Sequence, residues 1–270
     1  MSIAILQLRK EPFYRRNAFE VGLRKHGYAI DPLGQPRPKD KRDLLVLWNK
    51  KAGAEESQAD AWERAGGTVI VVENGYLQKV DKTHYAISVH GHNGSGWFPN
   101  HGEDRFSKLG FEIKPYRAPV GGKVLVCGQR SIGSTLMSSP PQWAENTQRL
   151  LMGRVRHTVK VRPHPGNFAP KVPLIDDLKT ARACVVWSSS AGVRAMVEGV
   201  VTFYCAPHWV CAGAALRGVT YGLIDVPPLG EFGRAAALNH MAHGQWHHEE
   251  IATGEPFARI LAGLEHATWP

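Results

Sequence analysis

Residues 183–205 read ACVVWSSSAGVRAMVEGVVTFYC, and this stretch predicts a strand, a helix and a second strand in that order. The runs ACVVW (183–187) and VTFYC (201–205) are almost continuously apolar, which is typical of strands covered on both faces. The segment between them, SSAGVRAMVEG (189–199), fits a helix. A strand, helix and strand in this order predict a parallel βαβ unit.

Comparable apolar runs recur along the chain. They are IAILQL (3–8), LLVLW (44–48), TVIVV (68–72), YAISV (85–89), KVLVC (123–127) and TVKVR (158–162). Helical segments are expected between several of them: one opened by Pro12, with Phe19 and Leu23 turned inward, one over 54–66 and one around 141–153. Strands that alternate with helices predict an α/β fold with parallel sheets of the doubly wound kind.

The pattern is interrupted once, at RAPVGG (117–122), where proline and paired glycines precede a fresh strand. We therefore predict two Rossmann-like domains, 1–119 and 120–245, with a cleft between them. Residues 246–270 are predicted to form a helical segment, broken at Gly254 and Pro256, that packs back across both domains.

Composition excludes several classes of protein. The chain has 270 residues, of which 43% are hydrophobic and 21% charged, so it is neither disordered nor of low complexity. It contains no run of ~20 apolar residues and no signal-peptide layout, which predicts a cytoplasmic protein without a membrane partner. The four cysteines, Cys127, Cys184, Cys205 and Cys211, form no CxxC pair and are expected to be reduced structural thiols.

The basic surplus is uneven. The whole chain carries a formal charge of +9, and residues 1–51 hold 12 Lys and Arg against 5 Asp and Glu, a net of +7. Lysine and arginine usually form a solvated face; the alternative is a landing surface for a polyanion. The residues concerned include Arg9, Lys10, Arg15, Arg16, Arg24, Lys25, Lys39, Lys41, Arg42, Lys50 and Lys51.

Polar residues follow three predicted strands of the second half. They are Gly128, Gln129, Arg130 and Ser131 after KVLVC, His164, Pro165 and Gly166 after TVKVR, and Ser188, Ser189 and Ser190 after ACVVW. In an open parallel sheet these strand ends lie on one edge, where ligands bind.

The residue types at this edge suit a phosphate. A helix that starts at the serine run presents unpaired N–H groups and the positive end of its dipole, although a serine there is also an ordinary N-cap. Arg162 and His164 supply cationic or donor groups, and the prolines on each side of His164 restrain its backbone. Glu198 is a candidate to accept hydrogen bonds from ribose hydroxyls; the alternative is an exposed helix carboxylate.

The string VRPHPG (161–166), followed by the serine-rich stretch and GVVTFYCAP (199–207), resembles the donor-binding half of GT-B glycosyltransferases, particularly the capsule-polysaccharide and sialyltransferase-like groups. In those families the histidine of the HP motif and the serine run hold the nucleotide phosphate of the sugar donor. The resemblance implies this role for His164, Pro165 and Ser188–Ser190, and Glu198 matches the acidic residue that follows. It covers about 155–207.

The first half offers candidates for a general base, which an inverting sugar transfer needs to deprotonate the acceptor hydroxyl. Glu73, His92 and Asp104 lie in polar clusters at predicted strand ends or in the loop that follows. Each of them alone is also explained by loop solvation or turn chemistry. His92 and Asp104 lie in the most polar loop.

Other motifs are weak or missing. His240, His243 and His247 would share a helix face at their spacing of three and four, but a polar face is favoured over a metal site because no carboxylate completes a known motif. Trp246 is expected to pack the terminal helix, and Gln245 to pack with it or reach the cleft. No GxGxxG follows the first strand, GQRSIGS lacks the lysine of a P-loop, and GxSxG and DxD are absent.

These observations predict an inverting, metal-independent glycosyltransferase with no cofactor beyond a UDP- or CMP-sugar donor. The preferred acceptor is a hydroxymethylated pyrimidine in duplex DNA, as in the DNA-base glycosyltransferases of phages, which resemble GT-B enzymes; the location would then be the host cytoplasm. The alternatives are transfer to a capsule or surface polysaccharide and a non-catalytic nucleic-acid-binding module. The sequence does not identify the sugar, the modified DNA base, the residue that acts as the general base, or the oligomeric state.

Overall fold

The structure is a computed structural model that describes residues 2–10, 16–32, 37–77, 83–117, 122–166, 172–219, 224 and 231–266. The chain folds into two compact units. Unit 1 comprises Met1–Glu103, Gly133–Thr135 and Ala242–Pro270, and unit 2 comprises Asp104–Ile132 and Leu136–Met241. Each unit contains one sheet.

Unit 1 contains a six-stranded sheet with the order β11-β5-β4-β3-β1-β2. Its strands are β1 (Ile3–Gln7), β2 (Ala29–Ile30), β3 (Leu44–Trp48), β4 (Thr68–Asn74), β5 (His84–Val89) and β11 (Gln245–His247). Its helices are α1 (Arg16–Arg24), α2 (Ala54–Arg64), α7 (His248–Thr253) and α8 (Glu255–His266).

Unit 2 contains a five-stranded sheet with the order β10-β9-β8-β6-β7, in which every pairing is parallel. Its strands are β6 (Lys123–Cys127), β7 (Thr158–Arg162), β8 (Ala181–Val186), β9 (Val201–Tyr204) and β10 (Leu216–Arg217). Helices α3 (Trp143–Leu151), α4 (Leu174–Lys179), α5 (Ser190–Val197) and α6 (Glu231–His243) follow its strands, with single 3₁₀ turns at Ser107–Leu109 and Ala212–Ala214.

Both faces of the unit 1 sheet are covered, which explains its continuously apolar strands. On one face Val46 of β3 packs with Phe19 of α1 and Phe257 of α8. On the other face Leu47 packs with Trp62 of α2. Phe19 and Leu23 are fully buried, so the predicted inward face of α1 is confirmed; Pro12 lies outside the described residues.

Two pairings in unit 1 contradict the expectation of parallel sheets. β5 runs antiparallel to β4, and β11 runs antiparallel to β5. The predicted helical segment at the C-terminus begins with this short strand, and then forms α7 and α8. The two helices separate at Gly254 (φ 87°) as predicted, whereas Pro256 lies in the first turn of α8 and does not break it. The described part of this segment packs on unit 1, where Trp246, Ile251 and Phe257 are core residues.

The division into units also differs from the predicted boundary. The proposed break at 117–122 falls largely outside the described residues, and unit 2 already begins at Asp104. Lys114 and Arg117 hold this early segment to unit 2, since the Lys114 backbone N–H donates to the Val197 carbonyl at 2.9 Å and that of Arg117 to the Gly199 carbonyl at 3.0 Å.

The four cysteines are free thiols. Cys127 and Cys184 are buried on neighbouring strands with their Sγ atoms 3.8 Å apart, and their contact and burial raise the pKa of Cys184. Burial raises the pKa of Cys205 to about 11. The thiols of Cys184 and Cys205 are therefore protonated and unreactive at neutral pH.

Candidate functional site

The carboxyl edge of the unit 2 sheet gathers the three predicted strand ends. β6 lies between β7 and β8 and runs parallel to both, so that Cys127 pairs with Arg162 on one side and with Val186 on the other. The residues that follow these strands therefore emerge together at one edge, as expected of a ligand-binding edge in an α/β sheet.

Hydrogen bonds tie the strand ends to each other. The Gln129 side chain accepts from the backbone N–H of Ser188 at 3.1 Å and donates to the Ser188 hydroxyl at 3.3 Å. On the other side, the Gly128 N–H donates to the Arg162 carbonyl at 2.9 Å. Gln129 thereby fixes where the serine run leaves β8, a positioning task that its amide performs with both donor and acceptor.

His164 presents one ring nitrogen to solvent. The backbone N–H of Gly166 donates to His164 Nδ1 at 2.9 Å, so in the neutral ring the proton is carried by Nε2. Partial burial, reinforced by the charge of Arg130, lowers the pKa of His164 below its ordinary 6.5. At neutral pH the residue is therefore an uncharged N–H donor at this edge.

The serine run opens α5. Ser189 is its N-cap, since the Ser189 hydroxyl accepts from the Ala191 N–H at 3.2 Å, so the ordinary capping role is present. Ser188 is buried and Ser190 is exposed. The positive end of the α5 dipole and the exposed hydroxyl of Ser190 thus lie at the same edge as His164.

Arg130 and Ser131, which follow Gln129, are also exposed. The Ser131 hydroxyl lies 3.3 Å from that of Ser139. The combination of exposed cation, hydroxyls, imidazole N–H and helix N-terminus gives this edge several donors and a positive charge, which suits an anionic oxygen.

Two predicted donor-site residues are engaged elsewhere. The guanidinium of Arg162 donates to the Asp177 carboxylate at 2.5 Å and to the Val172 carbonyl at 2.8 Å. Glu198 is buried at the other end of α5, where its carboxylate contacts Lys114 at 2.5 Å and Arg194 at 2.8 Å. Neither the phosphate role of Arg162 nor the ribose role of Glu198 fits these contacts.

Unit 1 brings two of the three candidate bases together. Glu73 lies near the end of β4, and His92 lies in the loop after β5. Burial raises the pKa of Glu73, and the charge of His92 together with a hydrogen bond from Tyr76 lowers it in part. Glu73 Oε1 and His92 Nδ1 are buried and have no hydrogen-bond partner among the described residues.

The loop that carries His92 is tightly folded. His90 and Asn93 have φ values of 70° and 52°, a region that residues other than glycine rarely adopt. A Cβ atom on Gly96 would lie 2.1 Å from the Gly91 carbonyl oxygen, so only glycine fits there. The Asn93 N–H donates to the Tyr76 hydroxyl at 3.1 Å, which connects this loop to the end of β4. Strain and orphaned polar atoms of this kind concentrate at functional sites.

Tyr76 was not among the predicted site residues. Its position two residues after the polar end of β4, in the sequence ENGY, was the signal that sequence reasoning could have used.

Asp104 does not join Glu73 and His92. It belongs to unit 2, is exposed, and its carboxylate accepts from the Ser107 N–H at 3.2 Å, at the start of a 3₁₀ turn. This is the turn chemistry that the sequence offered as the alternative.

The three histidines also separate. His240 and His243 lie on α6 and His247 lies on β11, so they share no helix face. Across the described ranges, no group of three His, Cys, Asp or Glu side chains is arranged to hold a metal ion. Trp246 is buried, and the buried Gln245 side chain bonds both backbone groups of Leu77.

Several basic residues of the first 51 positions are paired within unit 1. Lys50 is buried and contacts Asp60 at 3.3 Å and Glu63 at 3.6 Å. Arg16 binds Glu20 and Asp31, and Lys41 donates to the Leu264 carbonyl at 2.7 Å. These contacts hold parts of unit 1 together, whereas Lys25 and Lys39 are exposed. Arg15 lies outside the described residues.

Within the described ranges no helix is both long and apolar enough to cross a bilayer. No family model matches the chain, and no curated protein matches it in sequence.

Solved structures similar to this chain include two proteins of Thermosulfurimonas dismutans. The first is KpsC, a β-Kdo 2,7 transferase, with a TM-score of 0.57 and 12% identity over 98% of this chain and 100% of that one. The second is KpsC, a β-Kdo 2,4 transferase, with a TM-score of 0.52 and 14% identity over 90% of each chain. At these identities the likeness concerns the fold: the chain is a mixed α/β protein whose fold is similar to that of two sugar transferases.

Proposed function

We propose that the protein is a glycosyltransferase of the GT-B type that moves a sugar from a nucleotide donor to a polysaccharide hydroxyl with inversion. The convergence of Gln129, His164 and Ser188–Ser190 on one sheet edge carries this proposal. The HP and serine motifs and the likeness in fold to two Kdo transferases support it.

In the proposed reaction, unit 2 binds the nucleotide sugar by its phosphate. The bond between the anomeric carbon and the phosphate oxygen breaks, and the nucleotide leaves with the bonding electrons and a growing negative charge. His164 Nε2–H and the N-terminal end of α5 donate toward that charge. Such preorganised donors stabilise a transition state more than the ground state.

Unit 1 supplies the general base. Glu73 accepts the proton of the acceptor hydroxyl as its oxygen bonds to the anomeric carbon, and His92 lies near the carboxylate. Because burial raises the pKa of Glu73, the carboxylate is a stronger base than an exposed one. Asp104 has no part in this step.

The proposed acceptor is a capsule or surface polysaccharide. The sequence resemblance names the capsule-polysaccharide group, and the two similar structures are Kdo transferases. Duplex DNA, the acceptor that the sequence favoured, gains no support from the two similar structures.

The deciding experiment measures nucleotide release from a panel of UDP- and CMP-sugars, CMP-Kdo included. Each donor is offered alone, with oligosaccharide acceptors, and with hydroxymethylated duplex DNA. We expect release from one donor class and stimulation by an oligosaccharide. Stimulation by DNA alone would show that the acceptor is DNA and not a polysaccharide. Salt-dependent DNA binding without any nucleotide release would favour a non-catalytic module.

The variant His164→Ala tests the site within the same assay. We expect nucleotide affinity to fall about tenfold, as for the loss of one hydrogen bond to a charged group. His157→Ala is the matched control, because His157 immediately precedes the opposite end of β7. Full activity of His164→Ala would remove this residue from the phosphate site.

A further inference from the structure

The last turn of α3 and the loop that leads to β7 expose two large apolar side chains among arginines. Leu150 is 56% exposed and Met152 is 61% exposed, the two highest values among the large hydrophobic residues of the described chain. Arg149, Arg154 and Arg156 lie in the same stretch, and 146–157 (NTQRLLMGRVRH) contains no acidic residue. We call residues 149–156 the arginine-leucine tip.

The tip also has a concave part. Asn146, Arg149, Leu150, Met152 and Arg154 line a hollow of about 420 Å³. Arginine binds phosphate with a rigid, planar set of donors. The hollow therefore combines arginine side chains that can bind a phosphate with the apolar side chains of Leu150 and Met152.

The tip lies away from the proposed donor site. α3 connects parallel strands β6 and β7, so its C-terminal end is at the amino edge of the sheet, whereas His164 follows the carboxyl end of β7. At ~3.3 Å per residue, the five residues of β7 separate the edges by roughly 16 Å. The proposed sugar transfer makes no use of the tip.

We propose that the arginine-leucine tip docks on an anionic phospholipid bilayer. Flexible aliphatic chains that enter the acyl boundary, flanked by cations that meet lipid phosphates, are the combination that binds such a surface. The tip lacks the aromatic side chains that anchor most protein interfaces and stack on nucleotide bases. The sequence-based expectation of no membrane partner rested on the missing bilayer span, which peripheral docking does not require.

The test is co-sedimentation of the full chain with vesicles of phosphatidylcholine alone or with one quarter phosphatidylglycerol. Each basic residue near an anionic surface contributes about 1 kcal/mol, or about fivefold in partitioning. We expect binding to the anionic vesicles only, and at least a tenfold loss in Arg154→Glu/Arg156→Glu. Leu150→Ser/Met152→Ser should weaken binding severalfold without any change in net charge.

Two controls make the result specific. Lys25→Glu/Lys39→Glu changes net charge equally at exposed residues of unit 1, and Leu136→Ser/Val172→Ser removes exposed apolar side chains elsewhere in unit 2. Both should bind vesicles within twofold of the unaltered chain. No binding to anionic vesicles, or equal loss in the controls, would overturn the proposal; so would tip variants that lose affinity for a duplex oligonucleotide but not for vesicles.

Discussion

A single backbone contact sets the chemistry of His164. The Gly166 N–H occupies Nδ1, so the ring offers Nε2–H outward, and its lowered pKa keeps it neutral at pH 7. The side chain thus acts through the direction of its Nε2–H donor rather than through a positive charge. A glutamine at this position places an N–H₂ donor where Nε2–H was, whereas an asparagine places its amide near Nδ1.

We therefore expect His164→Gln to keep nucleotide affinity within about threefold, while His164→Asn loses about tenfold. Affinity of the unaltered chain should be constant from pH 7 to pH 8, because the lowered pKa places the titration of His164 below this range. Calorimetry with the nucleotide measures both. Equal losses in the two variants would show that the outward donor is unimportant.

The burial of Glu73 affects both the proposed activity and the pH dependence of stability. Burial raises its pKa above the ordinary 4.5, so its ionisation opposes folding. The stabilising contribution of the protonated group is complete below the unfolded pKa and is lost as pH rises through the folded pKa. Glu73→Gln should therefore gain stability relative to the unaltered chain as pH rises from 4 to 8, which urea unfolding at each pH measures.

The same variant should lose turnover by 10²–10⁴-fold with unchanged nucleotide affinity, as expected for loss of a general base. Glu55→Gln, a change at a half-exposed carboxylate on α2, is the control and should alter neither property. A Glu73→Gln enzyme with normal turnover would exclude Glu73 as the base.

Asp177 was missed by sequence reasoning because nothing in its helix distinguishes it from its neighbour Asp176. Its carboxylate is 3% exposed and contacts Lys123, Lys160 and Arg162 at 2.9, 2.8 and 2.5 Å. Burial alone would raise its pKa, but the hydrogen bonds from these three cations outweigh burial and hold the pKa well below its usual range.

The depressed pKa of Asp177 contributes stability that is present above the unfolded pKa and lost as pH falls through the folded one. We expect Asp177→Asn to lower the unfolding free energy of unit 2 by roughly 2 kcal/mol at pH 7, with a smaller deficit in acid. Asp176→Asn, which loses only an exposed pair with Lys179, is the control. Equal stabilities of the two variants at pH 7 would contradict this account.

Helix α5 depends on a glycine for its distance from the sheet. A Cβ atom on Gly192 would lie 2.9 Å from the Trp209 ring and 3.0 Å from Val186 Cγ2. The helix would have to move away from β8, and Ser189 and Ser190 would move with it. The position of the proposed phosphate donors is thus set by packing beneath them.

Gly192→Ala should therefore cost about 1–3 kcal/mol of stability, the usual range for overpacking, and should also weaken nucleotide binding. Gly213→Ala is the matched control, since nothing lies within 4 Å of its added Cβ. Thermal unfolding with and without nucleotide separates the two effects. Unchanged binding in a destabilised Gly192→Ala would show that α5 does not position the ligand.

At the level of elements, the sequence predicts the central strands of a sheet better than its short edge strands. Each predicted apolar run contains a strand, because burial on both faces leaves a continuous signal such as Leu44–Trp48. β11 was missed because its three residues directly precede a helix whose capping box uses His247. The antiparallel direction of β5 follows from the nine residues between β4 and β5, which are too few for the crossover that parallel strands need.

Site prediction shows the same limit across the whole molecule. Residues fixed by strand ends, such as His164 and Ser188, lie where the sequence placed them relative to the sheet. Arg162 and Glu198 have the right residue type and local position, but side chains distant in sequence engage them. The net charge of residues 1–51 likewise omits partners outside that range, since Lys50 finds its carboxylates on α2.

The two units should respond separately to core mutations. Phe257 is fully buried against Phe19 in unit 1, and Phe203 is fully buried in unit 2. We expect each Phe→Ala change to cost about 3–5 kcal/mol in its own unit. Hydrogen exchange should show lost protection in β3 and β4 for Phe257→Ala, and in β6 and β8 for Phe203→Ala. Identical exchange patterns would contradict two separate cores.

The return of residues 242–266 to unit 1 has a consequence during synthesis. Phe19, Leu23 and Tyr85 emerge from the ribosome early, but Trp246, Phe257 and Ile260, which pack with them, are made only after unit 2. At ~5–20 residues per second, the interval between residues 103 and 242 is roughly 7–28 s. Unit 2 can be completed during this interval, whereas the nascent first half keeps an apolar sheet face accessible to chaperones until α7 and α8 are synthesised.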